Sequence, residues 1–378
     1  MNAFEIIVPP LCGVEAVTAN EIRRLGYDVT KTADGRVTFL GDYDAVCESN
    51  INLRTGERVL IKIAEFKAET FDELFENTKN ADWKRWLNKN CAFPVTGFSI
   101  KSKLHSVPAC QSVIKKSIVT AMTELFGVNT LPETGETRRI EFSIIKDVVT
   151  IMLDTTGEPL HKRGYRIKHN AAPIKETLAA AIAILSRFNY NTVMADPFCG
   201  SGTFPIECAM IAKNIAPGLN RRFSAMEFKE IDKKCWNNAF LEAKENIRED
   251  TRLTILASDI DKAAISLTRE NAKNAGVSDM ITATHLPVSE FKCDISGGTI
   301  ICNPPYGERL LEQKACERIY TVMGDVYRSL DNWGLFALTP SENFENLFAI
   351  TAAKKRKLYN GMIKCCLYEY FPKRQKNL

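Results

Sequence analysis

Short runs of alternating apolar and polar residues open the chain, and between them the apolar spacing switches to threes and fours. "FEIIVP" from Phe4 reads as a strand, while "VEAVTANEIRRLG" carries apolar residues at helical spacing and stops at Gly26, in the place of a C-terminal cap. "GRVTFLG" and "RVLIKIAEF" predict further strands, with a helix near "DAVCESNINL" between them. This order fits a small ferredoxin-like α+β unit over residues 1–60. A second α+β unit is expected over 61–158, as one helix in "TFDELFENTKNADWKRWL", a strand in "TGFSIKSKL", a helix in "CQSVIKKSIVTAMTELFG" and a hairpin-like pair, "RRIEFSII" and "VVTIMLD". "HKRGYRIKHNAAP" reads as a basic linker, 159–172, before a third unit, 173–378, whose first helix, "IKETLAAAIAILSRF", should open at Pro173, a favoured first-turn residue.

In the third unit strands alternate with helices, which predicts an α/β, doubly wound, Rossmann-like sheet. "NTVMAD" leads into a glycine-rich turn and a helix from Thr203, "LTILASD" leads into "DKAAISLTRENAKNAG", and "TIIC" leads into Asn303-Pro304-Pro305-Tyr306. "WGLFALT" adds a strand, and "RKLYNGMIKCCLYEYF" is two β-rich runs around Asn360-Gly361, a type I′ hairpin signal. An antiparallel hairpin closing an otherwise parallel sheet narrows the choice of fold.

At 378 residues and 45% hydrophobic content the chain can bury a large core, and its net charge of +4 says little about partners. The distribution of charge says more. Trp83 to Thr123 contains no acid but holds Lys84, Arg85, Lys89, Lys101, Lys103, Lys115 and Lys116; Pro159 to Lys175 is also acid-free, with Lys162, Arg163, Arg166, Lys168, His161 and His169. Such stretches attract phosphate backbones by counterion release, although any single lysine more often belongs to a solvated face. The cluster "KKRK" at 354–357 could guide a nucleic acid or solubilise a helix end. None of the twelve cysteines forms C-x-x-C, so they read as reduced thiols rather than a metal site. The N-terminus lacks the pattern of a signal peptide and no apolar run approaches membrane-span length, which predicts a cytoplasmic protein with no membrane partner.

"DPFCGSGTFPIE" follows its strand directly, where ligands bind in doubly wound sheets. Gly200 and Gly202 would let backbone approach a ligand, with Thr203 as the helix cap. The dinucleotide fingerprint wants glycine where this chain has Pro205, and no Walker lysine is present. What remains is a cofactor with an amine to meet Asp196 rather than phosphates. Asp259 in "SDID" can accept from two ribose hydroxyls, whereas Asp261 has a competing use as a helix cap. S-adenosylmethionine fits these demands. Asn303, with an amide that accepts and donates, the prolines, whose carbonyls are expected to be free, and Tyr306, with a flat face, would form a slot for a planar group with an N–H donor; an ordinary Asn-Pro turn is the competing reading.

"DPFCGSGT", "SDID" and "NPPYGERL", with the terminal "YNG" hairpin, resemble class I S-adenosylmethionine-dependent methyltransferases of exocyclic amines. The first 170 residues look like a ferredoxin-like domain followed by a THUMP domain, an RNA-binding module, and "HKRGYR" and "APIKETLAAA" resemble the junction in bacterial THUMP methyltransferases acting on guanine N2 of large-subunit ribosomal RNA. The resemblance implies that Asp196, Pro197, Phe198, Gly200, Gly202 and Thr203 line the cofactor, with Asp259, Ile260 and Asp261 around its ribose. It implies that Asn303, Pro304 and Tyr306 hold the target base. From the two acid-free windows, RNA is expected to run over Lys84, Arg85, Lys101, Lys103, Arg163 and Arg166. The Asn-Pro-Pro-Tyr motif is shared with adenine-N6, cytosine-N4 and glutamine-N5 enzymes, and THUMP domains also occur in transfer RNA enzymes. A catalytically silent ribosome assembly factor is a further alternative. In one departure from related enzymes, "ATHLPVSEF" offers no acid before Glu290 for the cofactor's adenine amino group.

Overall fold

The computed structural model describes residues 3–166, 174–307 and 310–372. The first half runs β1 (Phe4–Val8), α1 (Glu15–Arg24), β2 (Val29–Ala33), β3 (Arg36–Gly41), α2 (Tyr43–Asn52), β4 (Leu60–Lys67), α3 (Phe71–Lys79), α4 (Trp83–Trp86), β5 (Val95–Ile100), α5 (Val107–Phe126), β6 (Ile140–Ile145) and β7 (Val148–Asp154). The second half runs α6 (Glu176–Ser186), β8 (Val193–Asp196), α7 (Thr203–Ala212), α8 (Lys233–Glu245), β9 (Thr254–Asp259), α9 (Lys262–Asn274), β10 (Ile281–His285), β11 (Thr299–Cys302), α10 (Leu310–Ser329), β12 (Gly334–Thr339), α11 (Phe344–Phe348), β13 (Lys354–Asn360) and β14 (Ile363–Tyr370).

The first two α+β units share one sheet, of order β2-β3-β1-β4-β7-β6-β5. The link is β4, where Ile61 lies opposite Ile6 of β1 on one side and Leu153 of β7 on the other. Their core is continuous too, from Phe4 and Ile6 through Phe142 to Trp236 of α8. Two local expectations change. The helix expected over "TFDELFENTKNADWKRWL" breaks into α3 and α4 at Asn80–Asp82, where the Trp83 indole N–H donates to the Thr78 carbonyl at 2.7 Å and ties the break together. The strand β2 was invisible to the hydrophobic pattern because four of its five residues are exposed.

The second sheet has the order β10-β9-β8-β11-β12-β14-β13, parallel through β12, with β14 antiparallel to both its neighbours. β8, β11 and β12 are buried along their whole length, as expected for a parallel sheet covered on both faces. The strand order reverses between β8 and β11, and that switch point opens a crevice at the strands' C-terminal ends. The "KKRK" cluster lies in β13, an edge strand, not at a helix end; lysines there discourage further strand pairing.

The halves meet around Glu57, whose carboxylate contacts His161 Nδ1 and Lys175 Nζ, each at 3.0 Å, and accepts from the Thr177 hydroxyl. It thereby serves the N-terminus of α6, which has no side-chain cap of its own. Burial works to raise the Glu57 carboxyl, but the bonds from His161 and Thr177 and the Lys175 charge outweigh it and hold the group at about 2. Lys168, His169 and Pro173, and with them the end of the expected linker and the helix start expected at Pro173, lie outside the described residues; α6 begins at Glu176.

Candidate active site

Three strand ends supply the crevice. The turn after β8 needs its glycines: Gly200 has φ +54° and Gly202 φ +84°, and a Cβ on Gly202 would come within 2.9 Å of Thr268 Cγ2. The turn is held from α9, where Thr268 Oγ1 donates to the Gly200 carbonyl and Asn271 Nδ2 to the Ser201 carbonyl, both at 2.9 Å. Neither residue was singled out from the sequence, since a Thr and an Asn inside a helix carry no motif. Gly202 occupies the cap position of α7, so Thr203 is its first helical residue and not the cap; the Thr203 hydroxyl instead accepts from Arg166 at 2.6 Å.

Asp196, ending β8, is buried and its Oδ1 accepts from the Phe198 N–H at 3.0 Å. Burial pushes its carboxyl well above the usual range, the Phe198 bond opposes this, and the nearby Asp259 charge adds to it. Pro197 and Phe198 continue the turn, with Phe198 packed on the core beneath β11 and β12. A carboxyl raised in this way is most stable protonated, so the fold loses stability as pH rises through its elevated pKa, and a bound ammonium restores the loss. The melting-temperature gain from added S-adenosylhomocysteine is therefore expected to widen as pH rises; a gain independent of pH would show that no ammonium meets Asp196.

Asp259 ends β9. Its Oδ2 accepts from the Gly200 N–H at 3.0 Å and its Oδ1 from the Asp261 N–H at 2.9 Å, which aligns the acid with the glycine turn. Asp261 caps α9, accepting from the Ala263 N–H at 2.8 Å, so the capping use weighed from the sequence is the one the geometry displays. Ile260 between them is 73% exposed, and its carbonyl contacts His285 Nε2 at 2.9 Å. His285 thus fills the end of β10, where the sequence lacked an acid.

Asn303 follows β11 directly and is half-buried; among the described residues its amide has no hydrogen-bond partner. Pro304 is buried and Pro305 exposed. The Pro305 carbonyl is not free, as expected from the sequence, but accepts from the buried Tyr320 hydroxyl of α10 at 2.8 Å. That hydroxyl also contacts Thr339 Oγ1 at 3.2 Å, and the Tyr320 ring packs edge-on against Phe344. Tyr306 opens onto a cleft of about 390 Å³ lined also by Gln313, Glu317, Ser341 and Asn343. Replacing Tyr320 with Phe is expected to lower kcat roughly tenfold, the worth of one net hydrogen bond, with cofactor affinity unchanged. Unchanged kcat in single-turnover assays would remove Tyr320 as the anchor of this loop.

The basic candidates sit in different surroundings. Lys84 is exposed on α4, while the Arg85 guanidinium lies over the Trp86 ring at 4.6 Å. Lys101 and Lys103 are exposed after β5, and Lys103 is paired with Glu69. Arg163 and Arg166 are ion-paired, and both line a cavity with Lys162, Lys175, Arg221 and Arg222. Arg163 is buried, 3.4 Å from Glu207 and bonded to the carbonyls of Leu160 and Arg54. The Arg166 side chain is also buried, and faces Thr203 and Glu176.

A parallel sheet with this strand order, an antiparallel β14, a glycine turn flanked by two acids and Asn-Pro-Pro-Tyr after the fourth strand define a class I methyltransferase. Residues 163–369 match the model of the RMKL-like methyltransferase domain, residues 5–60 the RlmL ferredoxin-like domain and residues 68–154 the THUMP domain. The chain belongs to the RMKL-like methyltransferase family. It is 46% identical, over 99% of its length and 97% of the relative's, to YpsC of Bacillus subtilis, described as a candidate RNA methyltransferase. It is 30% identical over 97% of its length to the ribosomal RNA large subunit methyltransferase K/L of Marinomonas, and spans 52% of that longer chain. Among solved structures, SMU.472, a candidate methyltransferase complexed with S-adenosylhomocysteine, matches all of both chains with TM-score 0.93 and 41% identity. A Listeria monocytogenes chain described as an N6-adenine-specific DNA methylase matches with TM-score 0.93 and 43% identity, over 98% of this chain and 97% of its own.

Proposed function

We propose that the protein transfers a methyl group to the exocyclic N2 amine of a guanine in RNA, in large-subunit ribosomal RNA, and that it acts in the cytoplasm. The cofactor is S-adenosylmethionine, which supplies an electrophilic methyl on sulfonium. Asp196 would meet its ammonium and Asp259 its ribose hydroxyls. The observation that carries the reading is Asn303, set after β11 across the switch point from both acids, with an amide that no described residue satisfies.

The lone pair of a guanine N2 amine is delocalised into the ring, which makes the amine a poor nucleophile. Asn303 Oδ1 and the Pro304 carbonyl accepting its two N–H bonds, with Tyr306 against the ring, would turn the lone pair toward the methyl carbon. Transfer would form the N–C bond as the C–S bond broke, its electron pair staying on the sulfur of S-adenosylhomocysteine, and the amine would lose one proton to solvent. A base in a duplex must leave its stack to enter the slot. The stiff prolines fix the acceptor pair, so positioning supplies much of the rate. The THUMP match and the names of the Bacillus and Marinomonas relatives favour RNA over DNA. Among the described residues no helix is long and apolar enough to cross a membrane.

The test incubates the protein with methyl-labelled S-adenosylmethionine and undermethylated bulk RNA, then identifies the nucleoside product by mass spectrometry. N2-methylguanosine in large ribosomal RNA is expected. The same product in transfer RNA would replace the substrate, N6-methyladenosine would replace the base, and no label with cofactor bound would favour an assembly role.

A further inference from the structure

A cavity of about 730 Å³ lies between α1, α2, α6 and the C-terminal ends of α7 and α8. It is remote from the crevice: Arg187 and Tyr190 on its wall precede β8, whose other end carries Asp196, and Ile211 lies at the far end of α7, about 15 Å along that helix. Four arginines line it, Arg24, Arg54, Arg187 and Arg248, and none is ion-paired to a described residue. Arg54 is the unusual one. It is only 8% exposed, its side chain makes no hydrogen bond to any described residue, and its Nη1 is buried without a partner. Burial pulls the guanidinium below its ordinary pKa, and the charges of Glu21 and Glu207 do not offset the fall. A buried charge left uncompensated is strongly destabilising, so its partner is expected to come from outside the chain. Arg187 points the same way: it ends α6 with φ +50°, where glycine is the ordinary choice, and places a cation on the cavity wall despite the strain.

We propose that this cavity is a second ligand site, for a nucleoside monophosphate, with Arg54 and the outer arginines on the phosphate and the Tyr190 ring against the base. The volume lies in the range of small-molecule sites. Guanidinium forks match phosphate oxygens, and a doubly charged phosphate answers four arginines better than a carboxylate does. Tyr190 is 37% exposed and braced by Phe188, its ring centroid 5.1 Å away, which leaves a surface on which a base can stack. Three acids share the lining. Glu21 spends both oxygens on the N–H groups of Arg54 and Thr55, each at 3.0 Å, and Glu48 accepts from the Tyr27 hydroxyl. Burial raises the carboxyls of both toward the neutral form, and Glu242 is exposed. The nucleotide has two sources of the same chemistry, a free molecule or the phosphorylated 5′ end of an RNA.

Calorimetry on the full chain, with S-adenosylhomocysteine saturating, uses uridine 5′-monophosphate, which has no adenine for the crevice and no exocyclic amine for the Asn303 slot. It is expected to bind, and uridine at least about tenfold more weakly, since hydrogen bonds to a charged group are lost. Arg54→Gln should weaken the nucleotide about 10- to 100-fold and leave S-adenosylhomocysteine affinity unchanged. Tyr190→Ala should weaken it about 5- to 150-fold, the worth of one stacked base, without affecting inorganic phosphate. Should Arg54→Gln not fold, Arg187→Gly, whose backbone suits glycine, should weaken the nucleotide about 2- to 10-fold. Displacement by a short RNA with a 5′-phosphate, and not by its 5′-hydroxyl form, would make an RNA end the source; no displacement would make it a free nucleotide. No binding of the nucleotide at millimolar concentration, equal affinity for uridine, or unchanged binding in the folded arginine variants would overturn the proposal. A lower melting temperature in Arg54→Gln with nucleotide affinity intact would likewise reduce Arg54 to a structural residue.

Discussion

Replacing Asn303 with Ala is expected to reduce methyl transfer by about two to three orders of magnitude, by analogy with deleting one oxyanion-hole donor. The amide is the only side-chain acceptor the Asn-Pro-Pro corner offers, and its loss leaves the amine's lone pair in the ring. Because Asn303 supports no other described residue, the fold and the cofactor crevice should be untouched. Single-turnover transfer and S-adenosylhomocysteine calorimetry, run side by side, give the answer: transfer falls while affinity stays within about twofold. Parallel loss of both would move Asn303 from the target base to the cofactor.

Asp259→Ala should produce the largest loss of cofactor affinity, on the order of 100-fold or more. Two hydrogen bonds from ribose hydroxyls to a carboxylate are each worth about 1.5–3 kcal/mol. The substitution also releases the Gly200 N–H, which Asp259 Oδ2 now accepts, and loosens the turn at the other edge of the crevice. S-adenosylhomocysteine and 5′-methylthioadenosine, which keeps the nucleoside and sulfur but lacks the amino-acid end, should weaken together, since both carry the ribose. A change below about fivefold, less than one such bond is worth, would remove Asp259 from the ribose.

The sequence made the doubly wound sheet readable because its central strands are short apolar runs punctuated by turn chemistry at their ends. Asp196, Asp259 and Asn303 stood out for the same reason, since a polar residue that ends a buried apolar strand adds nothing to the packing beneath it. What escaped was polar support from elsewhere in the chain. Tyr320, Thr268 and Asn271 act through single hydrogen bonds to loop carbonyls, and a residue in mid-helix gives no pattern to find. The ion pairing of Arg163 and Arg166 was not legible, because an acid-free window is a property of neighbours in sequence. Their partners, Glu207 and Glu176, come from helices that follow later in the chain. The single sheet of the first half was hidden likewise, because β4 looks the same in sequence whether one or both of its edges are paired.

That double pairing of β4 makes the front of the molecule a caliper. Strands bonded on both flanks do not hinge, and Glu57 fastens the same frame to the first helix of the catalytic half. An RNA gripped by the THUMP unit would meet the Asn303 slot at a set span, so the nucleotide chosen would be decided by the folded shape of the RNA and its distance from the grip, with the identity of neighbouring bases counting for little.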